Sequence, residues 1–341
     1  MSIADVNYLK DRTEHQATAK QLLSIMEPLI RCHSGSGDEQ QIAECILKFV
    51  EERCPGWTAF SDGAEGIGNV LAVPTKYLDK TNTFASMEKL PVLMAHMDTN
   101  YAKCELPEEE LRERLSTYTF ADITNGDAQG IVGDDSDLIL GFDDKAGIAL
   151  ILYLMSNYQE PDFKVLFTVQ EEKTEREDLK VCGPDGRNRR EGGGGIQYAL
   201  NKYPEFFETS LWAIMVDRAE DRSENVENDI NVVIRGDEPS DIVYRYLNQD
   251  TCSPAFRAKI EEISCSLGTP MLSRRSNAKA DTYNIRLSRG SSYSSVNLAA
   301  GGYREHRSGD YLCIYQTVRT LRIVEECIRQ QKKLYEASLL Q

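Results

Sequence analysis

Five segments of this chain carry side chains that could bind divalent metal ions. Four of them place ionisable residues directly after a short apolar run, and the fifth places a histidine in a loop. The residues are His96 with Asp98, Asp143 with Asp144, Glu171 with Glu172, Asp217, and His306. Imidazole nitrogens and carboxylate oxygens are donors that zinc accepts in proteins. If the five segments meet in the fold, they would form a metal site without a thiolate.

The first segment shows why a strand end matters. The apolar run 92–95 stops at His96, and Asp98 follows two residues later. A run of this length predicts a buried strand, and residues two apart on an extended backbone point the same way. Open α/β sheets bind ligands at the carboxyl ends of their strands. A histidine beside a carboxylate there suits a metal ligand with its orienting partner. Because such a pair is common by chance, the prediction depends on the other segments.

The elements that must position these residues alternate between strands and helices. Apolar runs predict strands at 57–60, 69–73, 92–96, 163–169, 211–216, 230–235 and 242–247. Helical spacing predicts helices at 4–31, 107–115, 146–155, 196–201, 256–267, 281–287 and 311–337, with a brief strand at the start of the last as an alternative. A further helix ending near Cys54 is expected to open on a capping box of Ser36 and Glu39. This alternation predicts an α/β fold with a mixed, mainly parallel central sheet and helices on both faces.

Composition excludes some partners. The chain has 341 residues, with 39 basic against 55 acidic ones and a net charge of −16, which argues against nucleic acid and anionic membrane surfaces. No apolar run approaches the length of a membrane span, and no signal peptide is recognisable. Nine cysteines without CxxC pairs indicate reduced thiols and a cytoplasmic protein.

The ordered set of motifs resembles a known family. HMD, GFDDKAG, TVQEE, MVDRAE and NLAAGGYREH resemble the co-catalytic di-zinc exopeptidases of the MH clan, which include zinc aminopeptidases, peptidase T and carboxypeptidase G. The resemblance runs in order from about residue 20 to the end of the chain. It implies a metallohydrolase that cleaves amide bonds, either as an aminopeptidase acting on small peptides or as a deacylase of acylated amino acids. A non-catalytic binding protein on the same scaffold is the third possibility.

The resemblance also implies roles for single residues. It assigns five ligands to two metal ions: His96 and Asp217 on one, Glu172 and His306 on the other, and Asp143 bridging both. Asp98 would orient His96, and Glu171 would be the general base. Nitrogen and oxygen donors suit zinc and would also admit cobalt or manganese. The neighbouring carboxylates of Glu171 and Glu172 diverge on an extended backbone, which allows them separate tasks.

Spacing bears on the subtype. His96 and Asp143 are 47 positions apart, and Asp217 and His306 are 89 apart. Both intervals are too short for an inserted domain, so a single catalytic domain over 1–341, without a lid domain, is expected. The charged, glycine-rich loop 173–195 is either a mobile lid that reads an anionic group of the substrate or a solvated insertion. Tyr303 and Arg304, near His306, are candidate substrate contacts, and the oligomeric state stays open.

Overall fold

The structure of the chain is a computed structural model. It describes residues 3–63, 68–78, 89–102, 104–120, 131–133, 137–158, 160–172, 181–182, 188–189, 194–217, 241–246, 249–276, 280–290, 293–303 and 305–340. Within these residues, no helix combines the length and the apolar character that crossing a membrane requires.

The strands of the described part follow one another along the whole chain. They are β1 (Trp57–Ser61), β2 (Val70–Pro74), β3 (Leu90–His96), β4 (Ile131–Gly133), β5 (Lys164–Thr168), β6 (Val181–Cys182), β7 (Asn188–Arg189), β8 (Ser210–Asp217), β9 (Asp241–Tyr246), β10 (Gln249–Asp250), β11 (Leu272–Ser276), β12 (Ser295–Ala299), β13 (Gly302–Tyr303) and β14 (Tyr311–Cys313). Nine of them form the main sheet in the order β1-β2-β5-β3-β8-β12-β9-β10, with β11 beside β9. The four central strands, β5, β3, β8 and β12, are parallel neighbours. The predicted mixed sheet with a parallel centre is therefore confirmed.

The helices cover both faces of this sheet. They are α1 (Ile3–Ile30), α2 (Gln40–Arg53), α3 (Glu108–Ser116), α4 (Phe142–Asn157), α5 (Gly194–Lys202), α6 (Pro204–Glu208), α7 (Pro254–Ser266), α8 (Asp281–Arg289), α9 (Ile314–Arg329) and α10 (Gln331–Leu339). Residues of α1, α2, α4 and α9 pack in one apolar cluster, and residues of α5, α6 and α8 pack in another on the opposite face. Helix α4 is buried nearly all round, as its uniformly apolar sequence predicts.

Side-chain alternation decides which face receives the candidate ligands. In β3, Leu93 and Ala95 join the cluster around α4, whereas Met94 joins the cluster around α5 and α8. His96, two residues after Met94, therefore points to the α5 and α8 face. Met215 of β8 also belongs to that cluster, so the same alternation places Asp217 on the same face. Both candidate ligands end central strands and lie at the carboxyl edge.

The predicted capping box at the start of α2 is wrong. Helix α2 begins at Gln40, and Ser36 and Glu39 do not form a capping box. The Ser36 hydroxyl donates instead to Asp98, and the Glu39 carboxylate accepts the backbone N–H of Gln170. The Glu39 carboxylate thus pairs with a buried backbone donor of the candidate site, and the start of α2 has no side-chain cap.

The predicted C-terminal helix is divided. The chain passes through β14 and α9, breaks at Gln330, and continues as α10. At the break, the Gln331 carbonyl accepts a hydrogen bond from Trp212 Nε1 at 3.3 Å, a long-range contact that helical periodicity does not reveal. The predicted strand 230–235 lies outside the described residues, as does most of the loop 173–195, of which β6, β7 and the start of α5 are described.

Candidate metal centre

The structure brings all five predicted ligands together. The Asp143 carboxylate lies between the two histidines, with Oδ1 at 3.0 Å from His96 Nε2 and Oδ2 at 3.1 Å from His306 Nε2. Asp143 is the second residue of α4 and has non-helical dihedral angles. One carboxylate with an oxygen facing each imidazole has the arrangement that a bridging ligand requires.

The remaining two acids divide between the histidines. Asp217 Oδ1 lies 3.6 Å from His96 Nε2, and Glu172 Oε1 lies 2.5 Å from His306 Nε2. The other oxygen of Asp217 accepts a hydrogen bond from Asn297 Nδ2 at 2.8 Å, which fixes the orientation of this carboxylate. Asp217 thus lies beside His96, and Glu172 lies beside His306.

The tautomer of His96 follows from its second ring nitrogen. Nδ1 lies 2.9 Å from the backbone carbonyl oxygen of Asp98 and 3.4 Å from its carboxylate. Because a carbonyl oxygen only accepts, Nδ1 carries a proton, and Nε2, once its own proton is lost, is the nitrogen that can bind a metal. Asp98 thus orients His96 through its main chain more closely than through its side chain.

The Asp98 carboxylate has a second set of contacts. Oδ1 accepts the backbone N–H of Glu171 at 2.9 Å, and Oδ2 accepts that of Glu172 at 3.1 Å. Oδ2 also accepts the Ser36 hydroxyl at 2.5 Å. Asp98 is fully buried, so these bonds are shielded from water. The carboxylate therefore holds the main chain of the two glutamates in place.

The two residues before this pair are held in the same way. Val169 N–H donates to Asn69 Oδ1 at 3.1 Å, and Gln170 N–H donates to Glu39 Oε1 at 3.0 Å. Four successive backbone donors are thus bound by side chains from distant segments. Gln170 also adopts a left-handed φ of 56°, and His306 one of 60°. Such conformations cost about 1–3 kcal/mol in non-glycine residues and cluster at functional sites.

Asp144, the residue after Asp143, accepts two backbone hydrogen bonds. Its Oδ2 accepts the backbone N–H of His96 at 3.1 Å, and its Oδ1 accepts that of Gly147 at 3.0 Å. These bonds tie β3 to the first turn of α4. A side chain at position 147 would collide with the Val216 carbonyl oxygen and the Asp144 carboxylate, so this close approach requires glycine.

The electrostatics of the cluster reflect an excess of acid. Burial alone would lower the pKa of His306, but hydrogen bonds with Asp143 and Glu172 raise it to about 10. Burial also lowers the pKa of His96, but hydrogen bonds with three acids raise it well above its ordinary value. Burial raises the pKa of Glu171 and Asp144 well above the usual range of carboxyl groups. Proton affinity is therefore raised on acids and histidines alike, as expected where positive charge is short.

The donor set fits divalent metal ions. Two groups of three residues each offer one ligand atom per residue, and within a group these atoms lie within 4.8 Å of one another: His96 with Asp143 and Glu172, and His96 with Asp144 and Asp217. The neighbouring cation does not neutralise them, because Lys145 Nζ donates to the backbone carbonyls of Cys32 and Leu140. Dications would supply the positive charge that the carboxylates lack, and nitrogen and oxygen donors suit zinc, cobalt or manganese.

A second donor group lies at the surface. His33, Asp38 and Glu108 also have donor atoms within 4.8 Å of one another. Arg112 already forms ion pairs with both acids, and the His33 ring stacks on Tyr101. This group is therefore a surface ion-pair network.

The other predicted site residues fare differently. The Tyr303 hydroxyl donates to Gln316 Oε1 at 2.6 Å, and its ring stacks on Tyr311. A substrate contact by Tyr303 stays a prediction, and Arg304 lies outside the described residues. Sequence reasoning missed Glu39 and Asn69 as supports of the glutamate pair, because their roles depend on contacts across 100 or more positions.

Comparison of the fold identifies similar structures. An aminopeptidase from the archaeon Desulfurococcus kamchatkensis aligns with a TM-score of 0.61 and 13% identity, over 94% of this chain and 98% of its own. A TET aminopeptidase from a marine sediment archaeon of the Thaumarchaeota aligns with a TM-score of 0.61 and 14% identity, over 94% and 99%. Aminopeptidase PepT from Bacillus cereus aligns with a TM-score of 0.58 and 12% identity, over 95% and 99%.

Sequence comparison adds no relative, since no family model and no curated protein sequence matches the chain. At 12–14% identity, the structural likeness establishes the fold and not the activity. The chain therefore has the fold of these aminopeptidases, which confirms at the level of the fold the resemblance that its ordered motifs indicate.

Proposed function

We propose that this chain is a metal-dependent hydrolase that cleaves amide bonds as an aminopeptidase acting on small peptides. The observation that carries the proposal is the position of the Asp143 carboxylate between His96 and His306. Glu172 has a ligand atom within 4.8 Å of one of this carboxylate, and Asp98 holds the backbone N–H groups of both Glu171 and Glu172. A bridging acid next to a rigidly held base is what metal-assisted hydrolysis requires.

Each ligand in the proposal has a position that suits it. His96 and Asp217 would hold one ion, Glu172 and His306 the other, and Asp143 would bridge them. Zinc is the ion we expect, with cobalt or manganese as substitutes. When bound, the two ions would polarise the scissile carbonyl and acidify the attacking water.

Glu171 is the general base in this proposal. Its backbone N–H is bound by Asp98, and its neighbour Glu172 faces His306. In this proposal Glu171 is therefore the acid of the pair that acts on the substrate. It would take a proton from the water and return it to the leaving amine.

The organisation around the site is also part of the proposal. We propose a single catalytic domain over 1–341, with the loop 173–195 following directly on Glu172. Gly195 N–H donates to the Val169 carbonyl at 3.0 Å, so the loop returns to the strand that precedes the glutamates. As a lid that begins and ends beside the base, the loop would control the entry of substrate to the site.

Substitution of Glu171 tests the function. The zinc- or cobalt-loaded chain is assayed on peptides with free N-termini and on N-acylated amino acids, with chelator as a control. Glu171→Ala should keep the wild-type metal content and lose about 100- to 10,000-fold in kcat. Glu262→Ala is the matched control, because Glu262 is exposed on α7 and pairs with Lys259. Cleavage of peptides but not of acylated amino acids would support the aminopeptidase reading.

Two results would contradict the proposal. The first is a wild-type chain that binds two metal ions but hydrolyses no substrate in the panel. Alternatively, Glu171→Ala could retain the wild-type kcat, which would remove the base from its assigned position.

A further inference from the structure

The segment that leads into the bridging acid is held by one carboxylate. Leu140 N–H donates to Asp310 Oδ1 at 2.7 Å, and the N–H groups of Gly141 and Phe142 donate to Asp310 Oδ2 at 2.9 and 3.2 Å. Asp310 is only 2% exposed, and the three donors are consecutive in the chain. Asp143 is the next residue. A single side chain thus binds every backbone donor of the three residues that precede the proposed bridging ligand.

Asp310 also belongs to the segment that carries a second ligand. His306 lies between β13 and β14, which pair antiparallel, and Asp310 directly precedes β14. The neighbouring Gly309 N–H donates to the Leu138 carbonyl at 2.8 Å. Strand β14 pairs on its other edge with β4. The hairpin that presents His306 is therefore joined at its base to the approach to Asp143.

The geometry of residue 141 strengthens this connection. Gly141 has a left-handed φ of 76°, and a side chain there would lie 2.9 Å from Thr99 Cγ2. Thr99 follows Asp98 and donates its backbone N–H to the Ser34 carbonyl. The segment 140–142 is thus confined between the end of β3 and the Asp310 carboxylate. A change at Asp310 releases one side of this confinement.

We propose that Asp310 is a positioning residue that fixes the position of Asp143 relative to His306. The metal ion held by Asp143, Glu172 and His306 would bind tightly only when the Asp310 carboxylate holds residues 140–142. The inference rests on the proposed metal-dependent function. A carboxylate accepts all three donors, whereas an amide of the same shape opposes at least one of them with its own N–H₂. Substitution of a residue that supports metal ligands without binding the metal typically lowers metal affinity by about 10- to 100-fold.

The test compares zinc binding by the wild-type chain and Asp310→Asn, by competition with a chromophoric chelator at neutral pH. We expect two sites in the wild type. In Asp310→Asn, the site of Glu172 and His306 should weaken by about 10- to 100-fold, and the other site, which also uses Asp143, should weaken less. Ser253→Ala is the control, because it removes the hydrogen bond from Phe256 N–H to a buried hydroxyl at the start of α7, which carries none of the proposed ligands. That variant should lose stability and keep both affinities.

Three results overturn the inference. If Asp310→Asn binds both ions as tightly as the wild type, Asp310 does not position the site. If both affinities fall equally, or if Ser253→Ala lowers metal affinity to the same degree, the effect is general destabilisation. If the wild type binds no metal, the proposed function fails first and the inference falls with it. Circular dichroism of each variant identifies the folded samples.

Discussion

Asp98→Asn tests how the glutamate pair is held. The Asp98 carboxylate accepts N–H groups from Glu171 at 2.9 Å and Glu172 at 3.1 Å, one on each oxygen. The Oδ2 atom also accepts the Ser36 hydroxyl. An asparagine of the same shape must place its N–H₂ where one of these oxygens now lies. In either orientation, one of the two glutamate N–H groups faces a donor.

The size of the effect follows from that loss. A hydrogen bond to a charged group is worth about 1.5–3 kcal/mol, and a buried donor left unpaired costs about 1–3 kcal/mol. We therefore expect Asp98→Asn to lower the free energy of unfolding by about 2 kcal/mol. If displacement of Glu171 raises the activation free energy by the same amount, kcat falls about 30-fold, since about 1.4 kcal/mol corresponds to tenfold.

The matched control lies in the same part of the chain. Asp38 is two residues after Ser36, but its side chain is 54% exposed and pairs with Arg112 at the surface. Asp38→Asn should change stability by less than about 1 kcal/mol, as exposed ion pairs do. Urea unfolding in chelator gives the stabilities, and kcat is measured on the metal-loaded proteins. The reasoning is refuted if Asp98→Asn unfolds at the wild-type urea midpoint and keeps kcat within twofold.

Two further predictions concern close packing and buried charge. Gly147→Ala should destabilise the protein by about 1–3 kcal/mol or more, because the methyl group would meet the Val216 carbonyl and the Asp144 carboxylate; an unchanged thermal midpoint would contradict this. Burial raises the pKa of Glu39 to about 7. Between about pH 4.5 and 7 the folded state therefore holds a proton that the unfolded state has lost. The wild type loses up to about 3 kcal/mol of stability as pH rises through this range. Glu39→Gln keeps the acceptor and removes the titration, so its stability in chelator should exceed that of the wild type more at pH 8 than at pH 5; parallel pH profiles would count against this.

Local sequence patterns predict the elements that carry the site. The apolar run before His96 becomes β3, and the run before Asp217 becomes β8, because a buried parallel strand needs apolar side chains on both faces. The uniformly apolar sequence after Asp144 becomes the buried helix α4. Since carboxyl ends of parallel strands share one edge, the meeting of these residues follows from the strands themselves.

The supports of the site could not be predicted in this way. The hydrogen bonds of Asp310 join residues about 170 positions apart, and no local periodicity reports such a contact. Glu39 resembles a capping residue in sequence, but its carboxylate is used by Gln170, 131 positions away. Local rules describe which backbone donors an element leaves unpaired, and only the tertiary fold decides which side chain pairs with them.

The most direct test of the account is the metal content of the chain. The protein is stripped with chelator, dialysed against zinc at neutral pH, and analysed for zinc per chain beside Asp143→Ala. The account predicts two zinc ions per wild-type chain and a loss of at least one in the variant, because Asp143 faces both histidines. A wild-type chain that retains no zinc, or an Asp143→Ala chain that retains two, would contradict it.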